Sequence, residues 1–178
     1  MVTIFCIKEL LQTFMHEIEL TVEIKPDFMI HKFVVVDDDP DDVDLFLEAI
    51  SEISQTITCL SAKDGRDLLG KLASGEIINP DIIFLDVNMP DMNGWECLAN
   101  LKSNADFKSL PVIMYSTSSA KKDAEKALEL GALGFYEKPT SFLILKEFLK
   151  ILASSTNLDE KSVQTLAKDC GRNQKFFV

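Results

Sequence analysis

The stretch Asp81-Ile82-Ile83-Phe84-Leu85-Asp86-Val87-Asn88-Met89-Pro90-Asp91-Met92-Asn93-Gly94 decides the fold, because in it an apolar strand passes into a polar loop through one carboxylate. The continuous apolar run Ile82–Leu85 is typical of a strand buried on both faces, as in a parallel sheet. Asp86 stands where this strand ends, and Asn93-Gly94 marks a turn at the end of the loop. A carboxylate in that place is anchored at its base and exposed at its tip, which suits a reactive group.

Charged residues also follow strand-like runs on either side of this stretch. The cluster Asp37-Asp38-Asp39 follows one apolar run, and Lys138-Pro139 follows another. From residue 32 onward, short apolar runs alternate with amphipathic helical segments, a pattern typical of a parallel sheet with helices on both faces. The sequence therefore predicts an α/β fold with five helices and five strands, at Phe33–Val36, Ile57–Leu60, Ile82–Leu85, Val112–Tyr115 and Phe135–Glu137.

The same alternation predicts the domain organisation. One domain is expected over residues 30–155, and a hydrophobic content of 47% is enough for its core. Residues 1–29 carry an apolar helical stripe before Lys25-Pro26, so they are predicted to be either a helical N-terminal extension, for docking or dimerisation, or a misassigned leader. Residues 156–178 are expected to form a short C-terminal tail with a helix through Val163 and Leu166.

Composition and charge exclude several classes of protein. The 29 acidic and 18 basic residues give a net charge of −11, which argues against nucleic acid as a partner because Lys and Arg carry phosphate binding. No apolar stretch reaches the roughly 18 to 20 residues that span a bilayer, so a cytoplasmic protein without membrane contact is expected. The cysteines form no Cys-x-x-Cys pair and are predicted to be reduced thiols: Cys6, Cys59, Cys97 and Cys170.

Five polar side chains are expected to meet at one edge of the sheet, because the loops after parallel strands share that edge. They are Asp37, Asp38, Asp86, Ser116 and Lys138. Neighbouring carboxylates repel one another unless a cation neutralises them, and an all-oxygen set suits Mg²⁺. Beside such an ion, Asp86 could accept a phosphoryl group whose remaining oxygens Lys138 and Ser116 would hold. The added charge of an aspartyl phosphate can bias a two-state surface, so the sequence predicts a switch.

These residues resemble the receiver domain of bacterial two-component response regulators, in particular single-domain, chemotaxis-regulator-like members, over about residues 30–153. Each motif alone is weak, but five in order at domain spacing are specific. The resemblance implies a doubly wound, flavodoxin-like, five-stranded parallel sheet with strand order 2-1-3-4-5. The motifs that carry it are Asp37-Asp38, Asp86 followed by Asn88-Met89-Pro90, Gly94, the hydroxyl of Ser116, and Lys138-Pro139.

The resemblance also implies roles in phosphoryl chemistry. Asp86 would be the phosphoacceptor. Asp37 and Asp38, with Asp86 and the backbone carbonyl of Asn88, would hold Mg²⁺. Lys138 would contact the phosphoryl group, and its peptide bond to the following proline would be cis.

Further implied roles concern the response to phosphorylation. Among the adjacent hydroxyl residues Ser116–Ser119, counting from Pro111 favours Ser116 as the switch hydroxyl. Phe135 would be the aromatic residue that changes rotamer with it. Asn88 and Ser118 would tune the lifetime of the phosphoryl group.

A signalling switch rather than an enzyme is the function that the resemblance implies. A sensor histidine kinase or a histidine phosphotransfer protein would donate the phosphoryl group, and an unknown downstream protein would read the change by protein contact. A homodimer is a further expectation, with apolar area from Leu143, Ile144 and Phe148. One alternative is an aspartate-nucleophile phosphatase, but such an enzyme usually needs a second acid two residues after the nucleophile, and here that position is Asn88. A second alternative is a receiver-like scaffold that is never phosphorylated.

Overall fold

A computed structural model describes residues 31–154 and 176–177 of the chain. Its centre is a six-stranded sheet with the order β2-β1-β3-β4-β5-β6. The first five strands are parallel to one another, and the sixth runs antiparallel to β5. The strands are β1 (Lys32–Val36), β2 (Thr58–Ala62), β3 (Ile82–Asp86), β4 (Val112–Ser116), β5 (Gly134–Glu137) and β6 (Phe176–Phe177).

The first five strands confirm the predicted α/β fold and the strand order 2-1-3-4-5. Four of them begin or end one residue beyond the predicted runs, and β2 begins after Ile57 and continues to Ala62. Every residue of β3 and β4 is buried, which explains why their sequences are apolar without alternation.

In the described part of the chain, one helix follows each of the first five strands, as predicted: α1 (Pro40–Ile53), α2 (Gly65–Ser74), α3 (Gly94–Ser103), α4 (Lys121–Glu129) and α5 (Phe142–Ala153). The first three begin at side-chain caps, because Asp39, Asp64 and Asn93 each accept a hydrogen bond from a backbone N–H in the first turn. Helix α2 ends at Gly75, whose φ of 76° favours glycine. Among the described residues, no helix is both long and apolar enough to cross a membrane.

The helices cover the two faces of the sheet in separate layers. Successive residues of β1 point to opposite faces. Phe33 and Val35 pack against α1 and α5 on one face, and Val34 and Val36 pack against α2 and α3 on the other. On the first face, the ring of Phe84 lies between those of Phe46 and Phe148. The second face is filled mainly by aliphatic side chains, among them Leu68, Ile83, Leu85, Leu98 and Leu101.

Strand β6 is an addition to the predicted sheet. Its residues pair with β5, Phe176 opposite Tyr136 and Phe177 opposite Phe135. The ring centroids of Phe177 and Phe135 are 6.4 Å apart, with the planes inclined at 65°. The expected N-terminal extension and the expected helix of the C-terminal tail lie outside the described residues.

Cys59 and Cys97 are free thiols. Burial raises the pKa of each thiol to about 12, and the charge of Asp64 adds to this effect at Cys97. The thiolate is the nucleophilic form, so both groups are poorly reactive near neutral pH. Cys6 and Cys170 lie outside the described residues.

Gly94 brings the start of α3 against the end of β3. Its N–H donates a hydrogen bond to the carbonyl of Val87 at 3.0 Å. A Cβ atom at this position would overlap the carbonyl oxygen of Asp86 and lie 2.9 Å from the Cα atom of Val87. Because these are backbone atoms, they cannot move aside without displacing the loop that follows β3.

We expect Gly94→Ala to lower the free energy of unfolding by about 2 kcal/mol, because the added methyl group forces the loop and helix apart. Urea unfolding monitored by circular dichroism measures this loss. The matched control is Gly70→Ala, since Gly70 is exposed in α2 and an added methyl group there would meet nothing outside its own helix within 4 Å. The control should gain up to about 1 kcal/mol from helix propensity. Equal stability of the two variants would show that the close approach at Gly94 is not a constraint.

Candidate functional site

The candidate site lies at the carboxyl edge of the parallel strands. Asp37 follows β1 directly, Asp86 ends β3, Ser116 ends β4, and Lys138 follows β5. Because these strands are neighbours in the sheet, their last residues are brought side by side. Of the five side chains that were expected to meet, those of Asp37, Asp38 and Asp86 form one cluster, and Lys138 contacts it. Ser116 lies at the end of the neighbouring strand β4.

Three carboxylates form a cluster at this edge. One oxygen each from Asp37, Asp38 and Asp86 lies within 4.8 Å of the other two. Asp37 and Asp86 are buried and Asp38 is exposed, so the cluster is open to solvent on one side. Backbone N–H groups orient the buried pair, since Asp39 donates to Asp37 at 3.1 Å and Asn88 donates to Asp86 at 2.6 Å. This oxygen-only donor set fits a hard divalent cation.

The ammonium group of Lys138 is surrounded by carboxylates. Its Nζ atom lies 2.6 Å from Asp37 Oδ2, 2.7 Å from Asp42 Oδ2 and 3.0 Å from Asp86 Oδ1. It also lies 5.3 Å from the centre of the Tyr115 ring. The lysine side chain is 11% exposed, so these contacts replace most of its hydration.

The Lys138-Pro139 peptide bond is trans, like every other peptide bond among the described residues. The expectation of a cis bond, which came from the family resemblance, is therefore wrong for this structure. The trans form is the ordinary preference of a bond before proline, by roughly 0.5–1 kcal/mol.

Burial and charge shift the pKa values of this cluster in a consistent way. Burial raises the pKa of Asp37, and although the hydrogen bonds from Lys138 and Asp39 lower it, the value stays above that of a free aspartate. Burial alone would lower the pKa of Lys138, but hydrogen bonds to Asp37 and Asp42 and the charge of Asp86 raise it well above its ordinary value. Lys138 is thus held as a cation by the carboxylates around it.

Asp42 is the site residue that sequence reasoning missed. It lies in the first turn of α1, where an acidic residue is usually explained by favourable interaction with the helix dipole. One feature of the sequence points to Asp42: it lies only a few residues after the acidic cluster that follows β1, so it is close to the site along the chain. Nothing in that spacing shows that the carboxylate reaches a lysine 96 positions along the chain. By contrast, Asp39 serves the helix alone, since it caps α1 by accepting a hydrogen bond from Asp41 N–H.

The hydroxyl residues after β4 form a chain of hydrogen bonds that leads to α4. Ser116 is fully buried, and its Oγ atom accepts a hydrogen bond from the N–H of Ser118 at 3.2 Å. Ser118 Oγ donates to Asp123 Oδ2 at 2.5 Å and accepts from the N–H of Ala120 at 3.3 Å. A displacement of Ser116 would therefore disturb the turn that precedes α4. Thr117, between the two serines, is exposed.

Strand β5 and helix α5 contain the remaining residues, which were predicted to act in switching or in dimer contact. Phe135 is buried in β5, where its ring contacts that of Phe177. Leu143 and Ile144 on α5 are 73% and 39% exposed, so they offer apolar area to a partner. Phe148 does not, because it is 2% exposed and stacks on Tyr136 with centroids 3.7 Å apart. The expectation that Phe148 adds area to a dimer is wrong, since it belongs to the buried stripe of the helix.

Comparisons of this chain with family models and with known proteins point to the same family. Residues 33–150 match the family model of the response regulator receiver domain. Chemotaxis protein CheY1 of Helicobacter pylori is 28% identical over 126 residues, which cover 71% of this chain and 99% of that protein. A probable cyclic di-GMP phosphodiesterase of Vibrio cholerae is 32% identical over 113 residues, which cover 64% of this chain. The chain spans only 24% of the length of that second relative.

Two solved structures of response regulators are also similar. The phosphorylated cyanobacterial phytochrome response regulator RcpA has a TM-score of 0.62 and 27% identity, over 68% of this chain and 90% of that chain. The Mn²⁺-bound form of response regulator Rcp1 has a TM-score of 0.60 and 25% identity, over 67% of this chain and 89% of that chain.

The contacts of Lys138 predict a pH-dependent loss of stability in Lys138→Met. At a pH of about 7.5 we expect the free energy of unfolding to fall by about 3 kcal/mol, because buried carboxylates lose their counter-charge. Loss of the ammonium removes the hydrogen bond and the positive charge of Lys138, both of which lower the Asp37 pKa, so this pKa rises further. A carboxyl group whose pKa is higher in the folded state destabilises the protein as pH rises from its unfolded pKa towards its folded pKa. The defect should therefore be smaller at a pH of about 4.

Urea unfolding of both proteins across this pH range measures the effect. Lys146→Met is the matched control, because Lys146 lies 2.6 Å from Glu52 in a partly exposed pair. It should lose less than about 1 kcal/mol at either pH. A defect in Lys138→Met that does not depend on pH would contradict the role of Lys138 as counter-charge.

Proposed function

Because the chain belongs to the response regulator receiver domain family, we propose that it is a signalling switch in which Asp86 accepts the phosphoryl group. The observation that carries this proposal is the contact of one lysine ammonium with Asp86 at 3.0 Å and Asp37 at 2.6 Å, beside the exposed Asp38. A nucleophile, a cation and further carboxylates are thus present together at one sheet edge. That combination suits transfer of an anionic group to a carboxylate.

In the proposed reaction, one carboxylate oxygen of Asp86 attacks the phosphorus atom of the donor. The bond between phosphorus and the leaving atom breaks, and the leaving group keeps the electron pair. The Asp86 side chain is oriented for this attack, since Asn88 N–H donates a hydrogen bond to its Oδ2 atom and the rest of β3 is buried. Lys138 reduces the repulsion between the carboxylates and the incoming phosphoryl oxygens.

We propose Mg²⁺ as the cofactor, held by Asp37, Asp38 and Asp86 and by the backbone carbonyl of Asn88. The carboxylate cluster supports this assignment, as does the Mn²⁺-bound state of the similar regulator Rcp1. When bound, the ion would neutralise charge on the transferred phosphoryl group. The opening beside Asp38 leaves room for water ligands, which Mg²⁺ usually retains.

The proposed output begins at Ser116 and Phe135. A phosphoryl oxygen on Asp86 would attract the Ser116 hydroxyl and break its contact with Ser118 N–H. The following turn would then move together with the start of α4, to which Ser118 is tied through Asp123. Phe135 is proposed to change rotamer with Ser116, and its ring lies against Phe177. Asn88 and Ser118 are proposed to tune the lifetime of the phosphoryl group.

The proposed partners are a sensor histidine kinase or a histidine phosphotransfer protein on the input side and an unknown protein on the output side. We propose that this phosphoryl transfer takes place in the cytoplasm. The exposed side chains of Leu143 and Ile144 support protein contact at α5, either with that target or in a homodimer.

We expect the protein, incubated with Mg²⁺ and a small acyl phosphate, to gain the mass of one phosphoryl group, and Asp86→Asn to gain none. Intact-protein mass spectrometry measures the increment. Asp91→Asn is the matched control, because Asp91 lies exposed in the same loop and its φ of 63° is one that asparagine accepts. Modification of Asp86→Asn at the wild-type level would place the acceptor elsewhere. No modification of the wild-type protein, with metal binding intact, would favour the scaffold alternative.

The metal assignment predicts that Mg²⁺ stabilises the protein against unfolding and that Asp38→Asn loses most of this gain. A ligand present at 100 times its dissociation constant adds about 2.7 kcal/mol to the free energy of unfolding. Thermal unfolding with and without Mg²⁺ measures the difference. Asp44→Asn, an exposed change on α1, should respond to Mg²⁺ like the wild-type protein. An undiminished response in Asp38→Asn would exclude that residue from the metal site.

A further inference from the structure

The ammonium group of Lys138 is already engaged by three carboxylates in the unmodified protein. A lysine ammonium has three N–H donors. Two of them donate hydrogen bonds to Asp37 and Asp42, while Asp86 Oδ1 lies in ion-pair contact with Nζ at 3.0 Å. A phosphoryl group on Asp86 would bring further anionic oxygens to this ammonium, where they compete with the carboxylates that it already contacts. The three carboxylates differ in what each would lose.

Asp37 and Asp86 are poor candidates for release. The side chain of Asp37 is 2% exposed and that of Asp86 is 6% exposed, so neither would find enough water to replace the ammonium. A buried carboxylate without a partner is costly. Asp86 is also the proposed acceptor, and its oxygens stay close to Lys138 after modification.

Asp42 can be released at much lower cost. Its side chain is 40% exposed, so water can solvate the carboxylate once the ammonium leaves. Asp42 is also outside the cluster of three carboxylates that could hold a cation. Its backbone is fixed by the first turn of α1, which Asp39 caps, so release needs only a side-chain movement.

We propose that Asp42 competes with the phosphoryl group for Lys138. In the unmodified protein, Asp42 occupies one N–H of the ammonium. On phosphorylation a phosphoryl oxygen takes that N–H, and the Asp42 carboxylate turns to solvent without any proton transfer. Asp42 is thus a positioning residue that favours the unmodified state, an inference that rests on the proposed role of Asp86.

The test uses beryllofluoride, a phosphoryl analogue, at saturating Mg²⁺, with binding followed by the fluorescence of Trp95. This ring lies in the first turn of α3, and Lys126 Nζ of α4 is 4.1 Å from its centre. We expect Asp42→Asn to bind beryllofluoride roughly two- to fivefold more tightly than the wild-type protein, the range set by a half-exposed ion pair. Asp42→Glu, which restores the charge, should return towards the wild-type affinity.

Asp41→Asn is the matched control, since it removes the same charge from the same helical turn at an exposed position. Its effect on binding should be smaller than that of Asp42→Asn. Measurement in 1 M salt separates contact from general repulsion, because screening then acts over about 3 Å. The difference between the two variants should persist there if Asp42 acts by direct contact.

Unchanged or weaker binding in Asp42→Asn would overturn the competition, as would an equal gain in Asp41→Asn. Failure of the proposed function would look different, because the wild-type protein itself would not bind beryllofluoride, or Asp86→Asn would bind it equally well. Thermal unfolding of each variant confirms that the compared proteins are folded.

Discussion

One positive charge placed among carboxylates is the interaction on which this site depends. Four aspartates lie near the carboxyl edge of the sheet, and the Lys138 ammonium contacts three of them at 2.6 to 3.0 Å. A single ammonium cannot neutralise four carboxylates, so the cluster keeps a net negative charge that favours binding of a further cation. A change of charge at Asp86 therefore alters the electrostatic energy of every charged group in the cluster.

This electrostatic arrangement needs a rigid base, and the hydrophobic core supplies it. All residues of β3 are buried between the two helical layers, so Asp86 is fixed at its backbone while its carboxylate reaches the edge. The glycine at the start of α3 lets that helix approach the same backbone closely. Movement is then confined to the loops, where the Ser118 side chain joins Ser116 to the start of α4.

Most of the fold and much of the site could be predicted from the sequence, because both depend on where apolar runs end. Asp37, Asp86 and Lys138 follow such runs, and a parallel sheet brings those positions together. Asp42 could not be predicted in the same way, because its contact joins a helix turn to the tip of a distant lysine. Phe148 was misassigned because the apolar residues of α5 exceed one buried stripe, and only packing shows which are covered. Strand β6 depends on a pairing of two residues that carry no strand pattern of their own.

The position of β6 has a consequence for how this sheet can meet other chains. An unpaired outer strand offers its backbone amides and carbonyls to any extended peptide, which invites sheet-to-sheet aggregation or donor-strand exchange. Phe176 and Phe177 occupy that position beside Phe135 and Tyr136. A peptide that is to pair with β5 on this side must first displace them, so β6 competes with such a peptide from within the same chain. On the other side the outermost described strand is β2, where Leu60 is 38% exposed.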